Sequence, residues 1–401
     1  MIKSITKIYR ESFSGLSRET WILSTVILVN RSSSMAVPFM SLYMTQYLHR
    51  PPSDAGLIIA LFGVGAILGA VAGGKLTDVI GFSAVQVFSS VIGGAFFIIF
   101  SMLTNFHLLC IFTLVIAFFS EAFKPANYAA IAVYAKEGTA TRSYSLNRLA
   151  GNLGFAVGSS VGGIIASFSY PMLFIVDGAV TIIAGGFIFY FLPAAKGAGK
   201  KIEDGVKSLA AIKPWKDVLF VQFLILNTLL STCFFLMFRV VPLFYKEVFL
   251  IGEFKIGLIL GLNGLIIALF EMVMINKIQN KHSAVHYIVR GVLLIILAYL
   301  SLLLPGIAPI ALAVLCIILF TIGEMFALPF INAFAMGRAD ESNRGQYAAG
   351  YTISWSVAQV IGPPAGFFLA ERYGYNWLWI ILILLLVICA GGFKLLGRRM
   401  D

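Results

Sequence analysis

Long apolar stretches recur along the whole chain, and each is ended by a short polar or Gly/Pro-containing break. A membrane-spanning helix needs about 20 predominantly apolar residues, whereas a strand of a membrane barrel alternates over roughly 10 residues. The breaks at 50–53, 81–83, 169–171 and 304–306 separate runs of helical length. The pattern therefore predicts twelve transmembrane helices, at residues 20–47, 55–79, 84–104, 106–134, 145–167, 171–192, 218–247, 256–277, 283–303, 308–332, 345–369 and 374–395.

The composition excludes an ordinary soluble protein. Hydrophobic residues make up 60% of the chain and charged residues 12%, while a soluble domain is about a quarter charged. The 35 Phe and 15 Tyr also oppose disorder. The four cysteines lie inside apolar runs without CxxC spacing, so we expect core residues rather than a disulfide framework or a zinc site: Cys110, Cys233, Cys316 and Cys389.

The net charge of +11 is explained by membrane topology rather than by nucleic acid. With both termini cytoplasmic, twenty of the 29 Lys and Arg fall on the inner side and four on the outer side. This bias predicts cytoplasmic termini in a bacterial-type inner membrane. The expected partners are the lipid bilayer and a small-molecule substrate, with no nucleic acid, and we expect a monomer.

The chain reads as two related halves around a polar linker. Segment 193–217 holds six Lys and three acidic residues. We therefore divide the chain into an amphipathic N-terminal segment 1–19, a six-helix bundle 20–192, the linker 193–217, a second bundle 218–395 and a tail 396–401. Three features recur at an offset of 204: Val37-Pro38 as Val241-Pro242, Pro125 as Pro329, and Gly158 and Gly162 as Gly362 and Gly366. The expected fold is an all-α polytopic membrane protein of two pseudo-symmetric six-helix bundles, with a substrate site near the bilayer midplane between them.

The end of the second predicted helix carries a family signature. The segment from Gly74 to Gly81 resembles the loop Gly-x-Leu-x-Asp-Arg-x-Gly-Arg-Lys of the major facilitator superfamily, although Val79, Phe82 and Ser83 replace the basic residues. The resemblance implies that Gly74, Asp78 and Gly81 belong to an inner gate, where Asp78 would act at a helix N-terminus. A simple Asp/Gly turn is the structural alternative.

Span 5 resembles a second motif of that superfamily. Residues 154–163 are similar to the Gly-x-x-x-Gly-Pro-x-x-Gly-Gly motif of its antiporter branch, with Ser159 in place of the proline. Span 11 supplies Pro363 in its own copy. The resemblance implies that Gly158, Gly162 and Pro363 take part in conformational change, and helix packing alone is the alternative.

A further set of residues resembles the proton-coupled peptide transporter branch. The matching positions are Asn30-Arg31, Lys124-Pro125, Asn152-Leu153-Gly154 and Gly323-Glu324 with Pro329. In that branch the corresponding Arg, Lys and Glu contact the peptide and the proton. The first helix departs from the Glu-x-x-Glu-Arg pattern, because Ile27 and Asn30 replace both glutamates.

Charged residues inside predicted spans are the main candidates for function, because burying a charge in the bilayer is costly. Glu324 and Glu121 are the candidate proton-coupling residues, and Asn30, Arg31, Lys124, Glu324 and Arg239 the candidate substrate-binding residues. Glu121 and Lys124 share one helix face, so a structural ion pair is the alternative. Asp177 is interpreted either as a structural residue, for helix capping or packing, or as a functional one. Glu271 and Arg239 are expected to reach a cavity or an interface, and Arg148 and Arg290 to extend to the inner surface.

These patterns favour a transporter over an enzyme. The sequence has no nucleotide-binding motif and no metal-ligand cluster, so we expect no metal and no cofactor beyond a proton gradient. The predicted function is alternating-access export of small amphiphilic organic compounds by proton antiport. Proton-coupled uptake of peptides or other zwitterionic or anionic solutes is the first alternative, and a channel is the second.

Overall fold

The computed structural model describes residues 14–192, 214–278, 281–304, 308–338 and 344–399. Most of segment 1–19 and of the linker 193–217, and the last two residues of the tail, lie outside the described residues. Within the described ranges the chain is helical and has no strand. Twelve helical segments are long and apolar enough to cross a membrane, which confirms the predicted number of spans.

We number these segments spans 1 to 12. They are Arg18–Tyr47, Pro52–Ile80, Phe82–Phe100, Phe106–Tyr134, Arg142–Phe168, Tyr170–Phe191, Val218–Glu247, Glu253–Ile278, Ala284–Ser301, Pro309–Gly337, Gln346–Tyr373 and Tyr375–Arg398. The helices of spans 5 and 11 begin slightly earlier, as Ala140–Phe168 and Arg344–Tyr373. A short 3₁₀ turn, Pro214–Lys216, precedes span 7.

The backbone contacts divide the chain into two compact units. Unit 1 comprises Met1–His49, Leu61–Gly199 and Gly252–Ile275, and unit 2 comprises Arg50–Ala60, Lys200–Ile251 and Asn276–Asp401. Two of the borders between the units fall inside spans 2 and 8. The first residues of span 2, as far as Ala60, are thus grouped with the second half of the chain, and most of span 8 with the first half.

Span 1 is interrupted, contrary to the continuous helix expected at 20–47. It consists of the helices Arg18–Ser32 and Ala36–Leu42 and a π-helical turn, Tyr43–Tyr47. Span 7 is likewise divided, into Val218–Arg239 and Val241–Glu247. The repeated Val-Pro pairs lie at the start of the second helix in both spans, where proline is tolerated because the first turn has no intrahelical partner for its missing N–H.

Glycines allow neighbouring helices of unit 1 to approach closely. A Cβ placed on Gly73 of span 2 would lie 2.5 Å from the Cα of Ala122 in span 4, and one placed on Gly94 of span 3 would lie 2.6 Å from the carbonyl oxygen of Gly178 in span 6. Unit 2 has an equivalent contact, since a Cβ on Gly291 would lie 2.8 Å from the backbone nitrogen of Ala327 in span 10. Small residues at these contacts are typical of helix packing in membranes.

Large apolar side chains cover the outward faces of the helices. Phe168 is 87% exposed, Tyr190 84% and Val79 80%. Exposure on this scale is unfavourable in water and is expected of surfaces that contact lipid. Three of the four cysteines, Cys233, Cys316 and Cys389, are buried, while Cys110 is partly exposed.

In each unit the residue that caps the first helix also binds the end of the fourth helix. The Ser17 hydroxyl accepts a hydrogen bond from the backbone N–H of Thr20 and donates one to the carbonyl of Tyr134, at 2.6 Å. Asp217 caps span 7 by accepting the N–H of Phe220, and it also binds Arg338. Capping groups satisfy backbone donors that have no partner within the helix.

Candidate functional site

Asp177 caps the second helix of span 1 from within span 6. Its carboxylate oxygens accept the backbone N–H groups of Met35 at 3.1 Å and Ala36 at 2.8 Å. The residue is 1% exposed. The interruption takes these two N–H groups out of the regular intrahelical pattern, and the Met35 N–H otherwise reaches only the Ser33 carbonyl, at 2.7 Å. The carboxylate therefore stabilises the break, as the structural interpretation of Asp177 as a capping residue expects.

The break fixes the position of the candidate substrate residues Asn30 and Arg31. Both are partly buried and lie in the last turn of the helix Arg18–Ser32. Three of the four glycines of the span 5 motif pack directly on this region. A Cβ on Gly154 would lie 2.6 Å from the Cβ of Arg31, one on Gly158 2.7 Å from the carbonyl oxygen of Ser32, and one on Gly162 2.7 Å from the Cβ of Met35. Helix packing therefore accounts for the contacts that Gly158 and Gly162 make here.

Glu121 and Lys124 form an ion pair within span 4. The Lys124 Nζ lies 2.5 Å from a carboxylate oxygen of Glu121, and the two side chains are 41% and 17% exposed, respectively. Pro125 follows inside the same helix. The structural pair that the sequence left open is thus present, and each charge is compensated by the other.

A second ion pair joins spans 5 and 8 inside unit 1. The Arg148 Nη2 donates to the Glu271 Oε1 at 2.5 Å, and the Arg148 and Glu271 side chains are 54% and 10% exposed. The sequence places Arg148 near an inner helix end, where it would extend to the surface; in the structure its guanidinium instead binds Glu271. Glu271 ends the π-helical turn Ile267–Glu271 of span 8.

Unit 2 contains a group of adjoining aromatic rings from spans 7, 10 and 11, which we call the aromatic cluster: Phe234, Phe235, Phe238, Phe320, Tyr351 and Trp355. The Phe234 ring lies 5.5 Å from Trp355 and 5.6 Å from Phe320, between ring centroids. Phe320 is fully buried, whereas Phe234 and Trp355 are partly exposed. The indole nitrogen of Trp355 is buried and has no hydrogen-bond partner among the described residues.

Glu324 lies one helical turn beyond Phe320 in span 10. Residues four apart on a helix share a face, so Glu324 lies on the same face of span 10 as Phe320 and adjoins the aromatic cluster. Glu324 is partly buried. Arg239, the other candidate charge of unit 2, is the last residue of the first helix of span 7, one residue after Phe238.

The predicted gate residues lie at the end of span 2. The segment from Gly74 to Gly81 is not a turn, because the helix continues to Ile80 and only Gly81 leaves it, with a φ of 87° that favours glycine. Asp78 is exposed and lies in the last turn of that helix. A Cβ on Gly74 would meet no described atom within 4 Å. Pro363 lies inside the helix Arg344–Tyr373.

The sequence did not single out the aromatic cluster, because Phe occurs throughout the apolar spans and its rings meet only through helix packing. The partnership of Arg148 with Glu271 also escaped prediction, since 123 residues separate them. The consecutive serines 32–34 were the available signal for the break in span 1, as serine hydroxyls compete for backbone hydrogen bonds.

Comparison with known proteins identifies the class. The family model described as Major Facilitator Superfamily matches residues 22–363. The chain belongs to this superfamily: it is a multi-pass membrane protein and a secondary transporter, not an enzyme.

Individual relatives are distant but cover most of the chain. An uncharacterized MFS-type transporter, YttB of Bacillus subtilis (strain 168), is 26% identical over 92% of this chain and 92% of its own length. A Na⁺, Li⁺, K⁺/H⁺ antiporter of Planococcus maritimus is 22% identical over 90% of this chain and 91% of its own length. The solved structure of a POT family transporter in complex with 5-aminolevulinic acid has a TM-score of 0.79 at 16% identity, covering 97% of this chain and 98% of that one. This last likeness concerns the fold alone.

Proposed function

We propose that this transporter is a proton-coupled antiporter that exports small amphiphilic organic compounds, and that organic cations are among them. The observation that carries the proposal is the position of Glu324 beside the aromatic cluster of unit 2. A carboxylate attracts a cation, and aromatic faces bind both its apolar parts and its charge.

Proton antiport follows from the same carboxylate. If Glu324 binds either a proton or a cationic substrate, the two compete for one negative charge, and each must leave before the other binds. Competition of this kind exchanges protons for substrate without a second energy source. The distant relative named as a cation/proton antiporter supports this mode of coupling.

Peptide or zwitterion uptake receives less support. It requires a cationic anchor for a carboxylate, and one of the two candidates in unit 1, Lys124, is paired with Glu121 at 2.5 Å. An anionic ligand would have to displace Glu121 to reach it. Glu121 stays in the proposal as a second proton-binding candidate, because its protonation would release Lys124.

Exchange of alkali cations for protons is a second candidate, and the name of the Planococcus maritimus relative is the observation that favours it. Alkali cations prefer several oxygen ligands. An aromatic surface beside one carboxylate fits an organic cation better than a hard metal ion, so we rank the organic cation first.

Proteoliposomes with an imposed pH gradient test the proposal. Tetraphenylphosphonium and ethidium should each dissipate the gradient, as followed by a pH-sensitive dye inside the vesicles. Dipeptides and Na⁺, Li⁺ or K⁺ salts form the other two arms. Dissipation by dipeptides alone or by alkali salts alone would replace the proposed substrate class, and movement of every solute only down its own gradient would indicate a channel.

Glu324→Gln is the matched variant. It should retain exchange of labelled tetraphenylphosphonium between two sides at equal concentration, or lose binding altogether, but in neither case should it move protons. A variant that still couples tetraphenylphosphonium flux to protons would remove Glu324 from the mechanism.

A further inference from the structure

The ion pair of Arg148 and Glu271 is a partly buried charged group that the proposed substrate site does not use. Its two members have different surroundings: the Glu271 side chain is 10% exposed and the Arg148 side chain 54%. If the pair separates, Arg148 can be solvated where it stands, but the Glu271 carboxylate would be left without a counter-charge. A buried carboxylate in that position is costly, and a proton removes the cost by neutralising it.

The backbone at Glu271 is itself unusual. Glu271 is the last residue of the π-helical turn Ile267–Glu271, and the α-helix resumes at Met272. Single π-helical turns inside α-helices are rare and are found mostly at functional sites. The chain also passes from unit 1 to unit 2 just beyond this turn, after Ile275.

Spans 5 and 8 meet along a seam of glycines that leads to the ion pair. A Cβ on Gly257 would lie 2.7 Å from the Cα of Gly163, and one on Gly261 would lie 2.7 Å from the carbonyl oxygen of Ala156. One on Gly264 would lie 3.0 Å from the backbone nitrogen of Ala156. Close backbone contact without interlocking side chains does little to fix one helix against the other along the seam. A polar contact holds the seam at one end, where Arg148 of span 5 binds Glu271 of span 8. Near the other end, Tyr170, the first residue of span 6, donates to Glu253 of span 8 at 2.6 Å.

We infer that Glu271 is a proton-binding residue and that the Arg148–Glu271 pair is a latch between spans 5 and 8. The latch is closed when Glu271 is ionised. Uptake of one proton converts the carboxylate to a carboxylic acid, Arg148 keeps its charge and turns to solvent, and the inner end of span 8 is released from span 5. This inference deepens the proposed function and rests on it, because it gives the proton a second effect, on helix movement.

The surroundings of Glu271 leave Arg148 as its closest charged partner. The other charged residues on the elements packed at this end are Arg142 on span 5, Lys277 on span 8, and Arg18 and Glu19 after Leu16 on span 1. Arg142 donates a hydrogen bond to the carbonyl of Ser14 at 3.2 Å, and Lys277 is exposed. Leu16, Leu146 and Leu149 pack with Met272, which places apolar groups beside the turn.

Hydrogen exchange of the purified, substrate-free protein tests the latch. The wild type is compared at about pH 5.5 and about pH 8, with rates normalised to the intrinsic pH dependence of amide exchange, over peptides covering residues 265–278. We expect normalised exchange about tenfold faster at the acidic pH, because local opening sets the rate. Glu271→Gln should exchange rapidly at both pH values, and Glu324→Gln should keep the wild-type pH response.

Arg148→Gln gives a second test that does not depend on Glu271→Gln folding. This variant removes the partner of Glu271 but keeps the carboxyl group. Its amides at residues 265–278 should therefore also exchange rapidly at both pH values. A Glu271→Gln or Arg148→Gln protein with the wild-type pH response would overturn the latch.

The latch and the proposed function fail separately. A pH-independent wild type that still exchanges protons for tetraphenylphosphonium refutes only the latch. A wild type with the expected pH response but no proton-coupled flux of any organic cation refutes only the proposed function.

Discussion

The Asp177 carboxylate in span 6 accepts the backbone N–H of Ala36 in span 1 at 2.8 Å, across 141 residues of sequence. A second oxygen accepts the N–H of Met35. One side chain therefore holds open the break beside Asn30 and Arg31. The position of both candidate residues thus depends on a contact from a different span.

Asp177→Ala should destabilise the protein by about 1–3 kcal/mol, because the buried N–H of Ala36 loses its carboxylate acceptor and that of Met35 keeps only the Ser33 carbonyl. The unfolding midpoint in detergent measures the loss. Asp54→Ala is the matched control, since the side chains of its pair with Arg50 are 41% (Arg50) and 23% (Asp54) exposed and solvent-accessible pairs contribute little. Equal shifts for the two variants would contradict the capping role.

Gly163→Ala should impair folding more than Gly186→Ala. At Gly163 the added Cβ would lie 2.6 Å from the carbonyl oxygen of Glu253 and 2.8 Å from the Cα of Gly257, both backbone atoms, while at Gly186 it would meet no described atom within 4 Å. Overpacking of this kind costs about 1–3 kcal/mol. The yield of monodisperse protein and its unfolding midpoint compare the variants, and an unimpaired Gly163→Ala would show that spans 5 and 8 separate readily.

The stabilising effect of Asp217 should disappear in acid. Burial acts to raise the pKa of Asp217, but hydrogen bonds from the Phe220 N–H, Arg338 and Tyr347 outweigh it and leave the pKa below its ordinary value. Because the folded-state pKa is the lower one, the contribution is present above the unfolded-state pKa and is lost as the pH falls through the folded-state pKa. The midpoint difference between wild type and Asp217→Asn should thus be greatest near neutral pH and shrink below about pH 4.

Arg338→Gln provides a check on that assignment. Since Arg338 binds Asp217 through two nitrogens, at 2.9 and 3.0 Å, its loss should raise the pKa of Asp217 and reduce the same pH dependence. A destabilisation by Asp217→Asn that is constant from neutral to acidic pH would mean that its charge contributes nothing.

Trp355→Leu and Phe234→Leu should each weaken tetraphenylphosphonium binding by about threefold to tenfold, the range expected for loss of one aromatic contact. Phe96→Leu is the matched control, because Phe96 also adjoins two rings, Phe112 and Phe119, but lies in unit 1 on span 3. Binding can be measured by equilibrium dialysis. An affinity lowered equally by all three variants would indicate partition into the protein–lipid boundary rather than a site.

The orientation of the chain in the membrane can be tested directly. A reporter fused after residue 205 should be cytoplasmic and one inserted near Arg50 should be outside, because most Lys and Arg then face the cytoplasm. Either reporter on the opposite side would reverse the orientation.

The number of spans was predictable because apolar length alone decides it, and span 4 was placed at its observed bounds, Phe106–Tyr134. The Val-Pro repeat correctly related spans 1 and 7. The interruptions that accompany it were not predicted, because they depend on partners such as Asp177 that are remote in sequence. The π-helical turn before Met272 was not predicted for the same reason, and its sequence differs little from that of the α-helix around it.

Candidate residues were easier to predict than their partners. Glu121 and Lys124 could be paired from helical spacing alone, since both lie on one helix. Arg148 and Glu271, and the rings around Trp355, come from different helices, and their meeting depends on rotation about each helix axis. Hydropathy does not determine that rotation when a helix is apolar on every side.

Spans 2 and 8, which cross the borders between the units, also constrain how the protein is made. Span 5 leaves the ribosome well before span 8, and at roughly 5–20 residues per second the delay is on the order of ten seconds. During that time the face of span 5 that carries Ala156 and Gly163 must contact lipid or the insertion machinery, because the helix that will cover it has not been synthesised. A protein cut at the linker would therefore yield a first fragment lacking Gly252–Ile275, a segment of its own compact unit, and co-expression of both fragments would be needed to complete it.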